Sequence, residues 1–252
     1  MEDPLRGRTA LVTGAALRIG REIALALAEQ GTSVVVHYRS SASDAEALAC
    51  EIQRLGANAW LVRADFEQPE GAASLVERAL AAAGSLDFLV NSAGIFLPDS
   101  LLDVTWASLA KHLAVNAWAP FVLCRDFARR VGRGKIVNLL DTRLDSYDWG
   151  HVAYILSKHV LAVLTRMLAV ELAPDIAVNA VSPGLILPPP GKDHSYLDAL
   201  VGTVPLGRHG SSRDVADAVL YLLRSEFLTG EVIRVDGGRH LLGGTNGPHP
   251  EP

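Results

Sequence analysis

The chain has 252 residues and a formal net charge of −5, and 49% of its residues are hydrophobic. This length suits one large α/β domain with a full core, and the mild negative charge without a basic stripe argues against a nucleic-acid partner. We find no signal-peptide pattern, no apolar run of membrane-spanning length and no metal-ligand spacing, and therefore expect a cytoplasmic protein without membrane contact or metal site. Cys50 and Cys124 lie far apart and are predicted to be reduced packing residues.

Seven apolar, β-branched runs alternate with stretches of helical periodicity. The runs are TALVTG, TSVVVHY, NAWLVRA, LDFLVNSA, KIVNLLD, IAVNAVSP and EVIRVDGG. Strands that are apolar throughout belong to a sheet covered on both faces, and strand–helix alternation implies right-handed crossovers. The sequence therefore predicts a single α/β domain with a Rossmann-type, doubly wound parallel sheet over residues 1–252.

Two segments interrupt this alternation. Residues 187–206 begin with a run of three prolines after Leu187, followed by polar residues and a short amphipathic piece, which is typical of a lid at the carboxyl edge of such a sheet. Residues 243–252 are rich in glycine and proline and are expected to be disordered.

The first strand leads directly into a glycine turn and a helix, in TALVTGAALRIGREIALALAEQG. Gly14 and Gly20 flank the turn, and the helix is expected to begin near Ile19. The free N–H groups and the positive dipole end of such a helix bind phosphate, so this turn predicts a dinucleotide site.

The end of the second strand indicates which dinucleotide is bound. NAD-binding proteins place an acid there for the ribose 2′-hydroxyl, whereas this chain has Arg39, Ser40 and Ser41. A guanidinium and two hydroxyls favour a 2′-phosphate, and hence NADP(H). The alternative is a solvated polar turn.

Tyr154 and Lys158 lie one helical turn apart in HVAYILSKHV. Residues at this spacing share a helix face, and a nearby cation lowers a tyrosine pKa from its usual value of about 10. The pair predicts a proton donor usable near neutral pH. Taken alone, such a motif more often marks a packed tyrosine and a lysine that extends to water.

Together, these motifs resemble the short-chain dehydrogenase/reductases over residues 7–242. TGxxxxxG, an aspartate after the third strand, NSAG, a helical asparagine, YxxxK and SPG occur in the family's order. The resemblance implies that Tyr154 transfers the proton, that Lys158 binds the nicotinamide ribose and lowers the tyrosine pKa, and that Asn116 anchors a water-linked proton path. It further implies cofactor contacts by Asp65, Asn91, Ala93, Gly94, Pro183 and Gly184.

Two departures from the family pattern concern Arg18 and Asp141. Arg18 replaces the middle glycine of the turn, and Asp141 stands 13 residues before Tyr154, where the family has a serine that donates to a substrate carbonyl. An ionised carboxylate only accepts hydrogen bonds and repels the oxyanion of a reduced ketone, but it favours a nitrogen that gains a proton. A protonated aspartate that mimics serine, or a protein without activity, is the alternative.

Both departures resemble the pteridine reductases, and short stretches are similar to dihydromonapterin reductases. By this resemblance, His37 and Tyr38 join the NADPH site with Ile19 and Gly20, and Arg18 contacts cofactor phosphate or substrate. Phe96 would stack a flat heterocycle against the nicotinamide. The prediction is an NADPH-dependent reductase of a pterin-like small molecule, with Asp141, Tyr154, Lys158 and Asn116 as catalytic residues.

Two other functions remain open, an NADPH-dependent aldehyde or ketone reductase and an NADPH-binding sensor without turnover. The helical stretches around residues 108–131 and 152–173 are apolar on more than one side. This surplus suggests a helix-pair interface, and the family resemblance makes the assembly a homotetramer. His151 and Asp148 are interpreted as surface and turn residues.

Overall fold

A computed structural model describes residues 3–146, 148–189 and 191–242. These residues form a seven-stranded parallel sheet in the order β3-β2-β1-β4-β5-β6-β7. The strands are β1 Thr9–Val12, β2 Ser33–Tyr38, β3 Ala59–Arg63, β4 Phe88–Asn91, β5 Gly134–Leu139, β6 Ile176–Pro183 and β7 Val232–Val235. Each of the seven predicted runs contains one strand, which confirms the predicted single-domain Rossmann-type fold.

Helices cover both faces of the sheet. They are α1 Arg18–Glu29, α2 Ala42–Arg54, α3 Pro69–Ala73, α4 Leu75–Ala83, α5 Trp106–Leu113, α6 Ala119–Arg130, α7 Val152–Glu171, α8 His194–Leu200 and α9 Ser212–Arg224. A π-helical turn, Ala114–Trp118, joins α5 to α6, and 3₁₀ turns cover Thr142–Asp145, Val201–Thr203 and Arg239–Leu242.

Alternation along the central strands separates two cores. In β1, Ala10 and Val12 face the core formed with α1, α2 and α9, whereas Leu11 faces the core formed with α4, α6 and α7. Because successive side chains of a strand point to opposite faces, a strand buried on both sides is apolar throughout. This explains why the runs lack polar alternation.

The chain reverses its direction of strand addition beside β1, which pairs with both β2 and β4. In doubly wound sheets, ligands bind in the crevice at such a switch point, beyond the carboxyl ends of the strands. Gly14 opens this crevice with a φ of +64°, and a Cβ there would lie 2.9 Å from the Ala93 Cα. A Cβ on Gly20 would lie 2.4 Å from the Gly14 carbonyl oxygen, so the turn requires glycine at both positions.

Helix α7 is long and apolar enough to cross a membrane by length and composition alone. However, 61% of its most apolar 18-residue window is buried inside the protein, and Leu168 and Ala169 pack into a sheet core. We therefore interpret α7 as a core helix. It carries Tyr154 and Lys158 in its first two turns.

The predicted lid contains α8 and the turn Val201–Thr203, and Leu197 and Val204 form a small apolar cluster with Leu185. The predicted disordered tail, 243–252, lies outside the described residues. Cys124 is buried as predicted, but Cys50 is exposed on α2. The prediction of Cys50 as a packing residue was wrong, because that position faces solvent.

Candidate active site

A cavity of about 390 Å³ follows the carboxyl edge of the sheet from β2 to β6. Its lining contains most of the residues predicted to hold the cofactor. These are Gly14, Arg18, Ile19, Gly20, His37, Tyr38, Arg39, Ser40, Ser41, Asp65, Ala93, Gly94, Tyr154, Lys158 and Pro183. Phe96, which was predicted to contact substrate, also lines the cavity.

Asn91 and Gly184 lie outside the described residues that line this cavity. The Asn91 Nδ2 donates to Asn138 Oδ1 at 2.8 Å, so this side chain joins β4 to β5 inside the sheet. A Cβ on Gly184 would lie 2.4 Å from the Asp236 Cβ, so Gly184 packs against the loop after β7.

The start of α1 fits a phosphate group. Within this described helix, no side chain caps the N-terminus and no acid occupies the first turn. Its first N–H groups and positive dipole end therefore remain available to an anion at the cavity wall.

Arg18 adopts a φ of +57°, a conformation that glycine adopts without strain and other residues rarely. This explains why the family pattern has glycine at the position. The Arg18 guanidinium donates to the Pro188 carbonyl at 2.7 Å. Arg18 therefore connects the phosphate turn to the predicted lid.

His37 holds the same turn in place. Its Nδ1 accepts the Gly14 N–H at 3.1 Å, and its Nε2 donates to the Ala64 carbonyl at 3.2 Å. Burial lowers the pKa of His37 to about 4, so the imidazole is neutral near pH 7. Both ring nitrogens are engaged by the backbone, and the ring stacks on Phe66 at a centroid distance of 4.5 Å.

Tyr154 donates a hydrogen bond to Asp141 Oδ2 at 2.9 Å. The other oxygen of Asp141 accepts the Arg143 backbone N–H at 2.8 Å. Burial, together with the charge and hydrogen bond of Asp141, raises the pKa of Tyr154 well above its usual value. The phenol is therefore protonated at neutral pH, and its proton is directed at the Asp141 carboxylate.

The raised pKa of Tyr154 contradicts the expectation that Lys158 lowers it. The Lys158 Nζ lies 5.8 Å from the centre of the Tyr154 ring and donates instead to the Leu139 carbonyl at 2.7 Å. Burial lowers the pKa of Lys158 to about 8, against the opposing charge of Asp141. Burial and the adjacent Asp141 carboxylate raise the pKa of Tyr154 more than a partly neutral Lys158 at this distance can lower it.

Asn116 lies in the π-helical turn and is fully buried. Its Oδ1 accepts the Ile95 N–H at 2.8 Å, and its Nδ2 donates to the Ile95 carbonyl and to Ser157 Oγ, each at 3.0 Å. The Ser157 hydroxyl donates to the Tyr154 carbonyl at 2.6 Å. Asn116 therefore fixes the cavity-lining loop after β4 against the start of α7.

Phe96 is surrounded by rings and charge. His151 stacks on it at a centroid distance of 3.9 Å, Tyr154 meets it edge-on at 4.7 Å, and the Arg143 Cζ lies 4.9 Å from its centre. Asp148 contacts two of these groups, with its carboxylate 3.0 Å from the Arg143 guanidinium and 3.1 Å from His151 Nδ1. The face of Phe96 that His151 covers is closed to a substrate.

Arg143 was not predicted from the sequence, and His151 and Asp148 were interpreted only as surface and turn residues. Each is isolated in the sequence, and they meet because the loop after β5 folds back onto the loop after β4, where Asp99 pairs with His151. Residue spacing along the sequence does not predict this contact between two loops. The completed arrangement offers a protonated phenol, a carboxylate acceptor and an aromatic surface next to a dinucleotide-sized crevice.

Comparisons with known proteins agree with this geometry. A family model described as Enoyl-(Acyl carrier protein) reductase matches residues 14–240. The chain belongs to the short-chain dehydrogenase/reductase family. It is an NAD(P)-dependent reductase.

Three relatives show the range of this family near the chain. The crystal structure of FolM Alternative dihydrofolate reductase 1 from Brucella canis, complexed with NADP, is 35% identical, with a TM-score of 0.87 over 93% of this chain and 95% of that one. Pteridine reductase 1 of Leishmania tarentolae is 34% identical, covering 92% of this chain and 96% of that protein. An NADPH-dependent aldehyde reductase-like protein of Arabidopsis thaliana is 33% identical, covering 93% and 95%.

The Tyr154–Asp141 pair gives a direct prediction for this reductase. Asp141→Asn removes the anion beside the phenol, so the phenolate becomes easier to form and the pKa of Tyr154 falls. The measurement is a pH titration by NMR of protein carrying ¹³C at the hydroxyl-bearing carbon of tyrosine, with Tyr154→Phe to assign the signal. The control is Asp145→Asn, which changes a carboxylate paired with Arg234 and should leave the pKa of Tyr154 unchanged. An unchanged Tyr154 titration in Asp141→Asn would contradict the assignment.

Proposed function

We propose that this reductase transfers hydride from NADPH to a C=N bond of a flat, pterin-like heterocycle of the dihydropteridine, dihydromonapterin or dihydrofolate type. The observation that carries the proposal is the 2.9 Å hydrogen bond from Tyr154 to the Asp141 carboxylate. Relatives named as a pteridine reductase and an alternative dihydrofolate reductase support it.

Reduction of a C=O bond and reduction of a C=N bond place different charges next to Asp141. When bound, NADPH supplies a hydride, and the substrate carbon accepts it while its partner atom accepts a proton. If that partner is a ketone oxygen, negative charge develops beside the Asp141 carboxylate and is repelled. An imine nitrogen is more basic than a ketone oxygen and would take the Tyr154 proton before the hydride arrives, so that Asp141 stabilises the positive charge on the N–H group. Solvent then restores the phenol proton.

The aromatic surroundings fit a planar substrate. Phe96 and Tyr154 line the cavity and meet edge-on, which places an aromatic ring beside the proton donor. Flat heterocycles are bound on such surfaces by stacking. His151 stacks on Phe96, and the Arg143 guanidinium lies over its ring. Asp148 contacts both His151 and Arg143.

A substrate panel tests the function. Wild-type enzyme should oxidise NADPH with dihydropterins or dihydrofolate and only weakly with simple ketones. Asp141→Ser should reduce pterin turnover by about two orders of magnitude, with NADPH affinity nearly unchanged and ketone turnover equal or higher. Asp145→Ser is the matched control. Full pterin activity in Asp141→Ser would remove Asp141 from the mechanism.

The second candidate is an aldehyde or ketone reductase. The NADPH-dependent aldehyde reductase-like relative supports it at nearly the same identity, and Tyr154 with Lys158 would serve either reaction. Turnover of carbonyl compounds alone would establish this alternative, whereas tight NADPH binding without turnover across the panel would favour a sensor.

For the cofactor, we propose NADPH over NADH. Arg39, Ser40 and Ser41 line the cavity just after β2, where NAD-binding proteins place an acid. Arg39 and Lys111 bring two cations to this end of the cavity. A relative crystallised with NADP is consistent with this choice.

Arg39→Gln should therefore weaken NADPH binding by about tenfold or more, because a charged hydrogen bond to phosphate contributes about 1.5–3 kcal/mol. NADH binding should change little. Fluorescence titration of each reduced cofactor measures both constants, with Arg54→Gln on α2 as the control. Equal losses for the two cofactors would show that Arg39 does not bind the 2′-phosphate.

We also propose that the chain forms a homotetramer and that α7 supplies one of its contacts. Leu156, Val160, Val163, Met167 and Val170 follow one face of α7 with 40–80% of their surface exposed. Their spacing of three and four residues forms a continuous apolar stripe. Burying such a stripe against another helix removes apolar surface from water.

Val163→Glu with Val170→Glu should convert the tetramer to smaller species, because each carboxylate would be buried without a partner. Light scattering measures the mass, and Leu102→Glu, at a residue that is 95% exposed on another element, is the control. A monomeric wild-type protein would refute the proposal.

A further inference from the structure

The Glu67 carboxylate lies between two cations at the β2 end of the cavity. Its Oε1 is 2.8 Å from the Arg39 Nη1 and 3.2 Å from the Lys111 Nζ. The Glu67 side chain is 28% exposed, compared with 52% for Arg39 and 40% for Lys111. The carboxylate is thus the innermost member of the triad.

The surrounding backbone holds this triad at the cavity wall. The Glu67 N–H donates to Asp65 Oδ1 at 3.0 Å, and Asp65 lines the cavity. The Arg63 Nε donates to the Arg39 carbonyl at 3.0 Å, which fixes the chain after β2. Lys111 lies one turn before Val115, another residue of the cavity lining.

Arg39 is also the residue that the proposed function assigns to the 2′-phosphate. A guanidinium that holds a carboxylate at 2.8 Å must release or share it to bind a phosphate, and the two anions repel each other. Lys111 can remain with Glu67 during this exchange, so the released carboxylate keeps a counter-charge.

We propose that Glu67 is a specificity-determining residue that competes with the cofactor 2′-phosphate for Arg39 and so limits the affinity for NADPH. The inference rests on the proposed NADPH preference. NADH carries no 2′-phosphate and leaves the Arg39–Glu67 pair intact. Glu67 therefore reduces the difference in binding affinity between NADPH and NADH. This explains how an acid can be present at this end of the cavity although none follows β2 directly.

Glu67→Gln tests the competition, because glutamine keeps the shape of the side chain and removes its charge. NADPH binding, followed by cofactor fluorescence without any substrate, should tighten roughly three- to tenfold, the range expected for releasing a partly exposed ion pair and its repulsion. NADH binding should stay within about twofold. Glu70→Gln, an exposed acid on the next turn, is the matched control and should change neither.

Unchanged or weaker NADPH binding in Glu67→Gln would overturn the inference. In an Arg39→Gln background most of the gain should disappear, since Glu67 then has no guanidinium to hold and only its direct repulsion of the phosphate is left. A full gain in that background would show that Glu67 does not act through Arg39, and would also overturn it. If Arg39→Gln weakens NADPH selectively while Glu67→Gln has no effect, the NADPH proposal survives and the Glu67 inference alone fails.

Discussion

In the mechanism that we propose, the hydrogen bond from Tyr154 to Asp141 sets the chemistry of this reductase. It joins the first turn of α7 to the end of β5 at 2.9 Å inside a buried region, where an electrostatic contact is stronger than in water. Because the phenol donates and the carboxylate accepts, the tyrosine is kept protonated. We propose that the stacked rings and the cofactor crevice bring a substrate to this one proton.

The fold separates two tasks along the carboxyl edge of the sheet. At the β2 end, Arg39, Glu67 and Lys111 form a charged surface, which we propose meets the far end of the cofactor. At the β5 end, the proposed mechanism assigns the proton to Asp141 and Tyr154. Between them, glycine-dependent backbone contacts and the buried Asn116 amide fix the wall. Substitutions at one end should therefore change cofactor choice without changing proton transfer.

The sequence predicts the framework because its physical signals are local. Unbroken β-branched runs locate all seven strands, and the glycine turn locates the phosphate end of α1. The sign of the Tyr154 pKa shift was predicted wrongly, because it depends on burial and on the distances to Asp141 and Lys158, which spacing along a helix does not contain. The stacking of His151 on Phe96 and the Glu67 ion pairs join separate loops, so they emerge only when the chain is folded.

The central claim is that the Asp141–Tyr154 pair directs hydride to a C=N bond. The most direct measurement offers wild-type enzyme an equimolar mixture of a dihydropterin and a ketone with NADPH deuterated at C4, and locates the deuterium by mass spectrometry. The account predicts that deuterium enters the carbon of the reduced C=N bond and is nearly absent from the alcohol. Deuterium found only in the alcohol would contradict it.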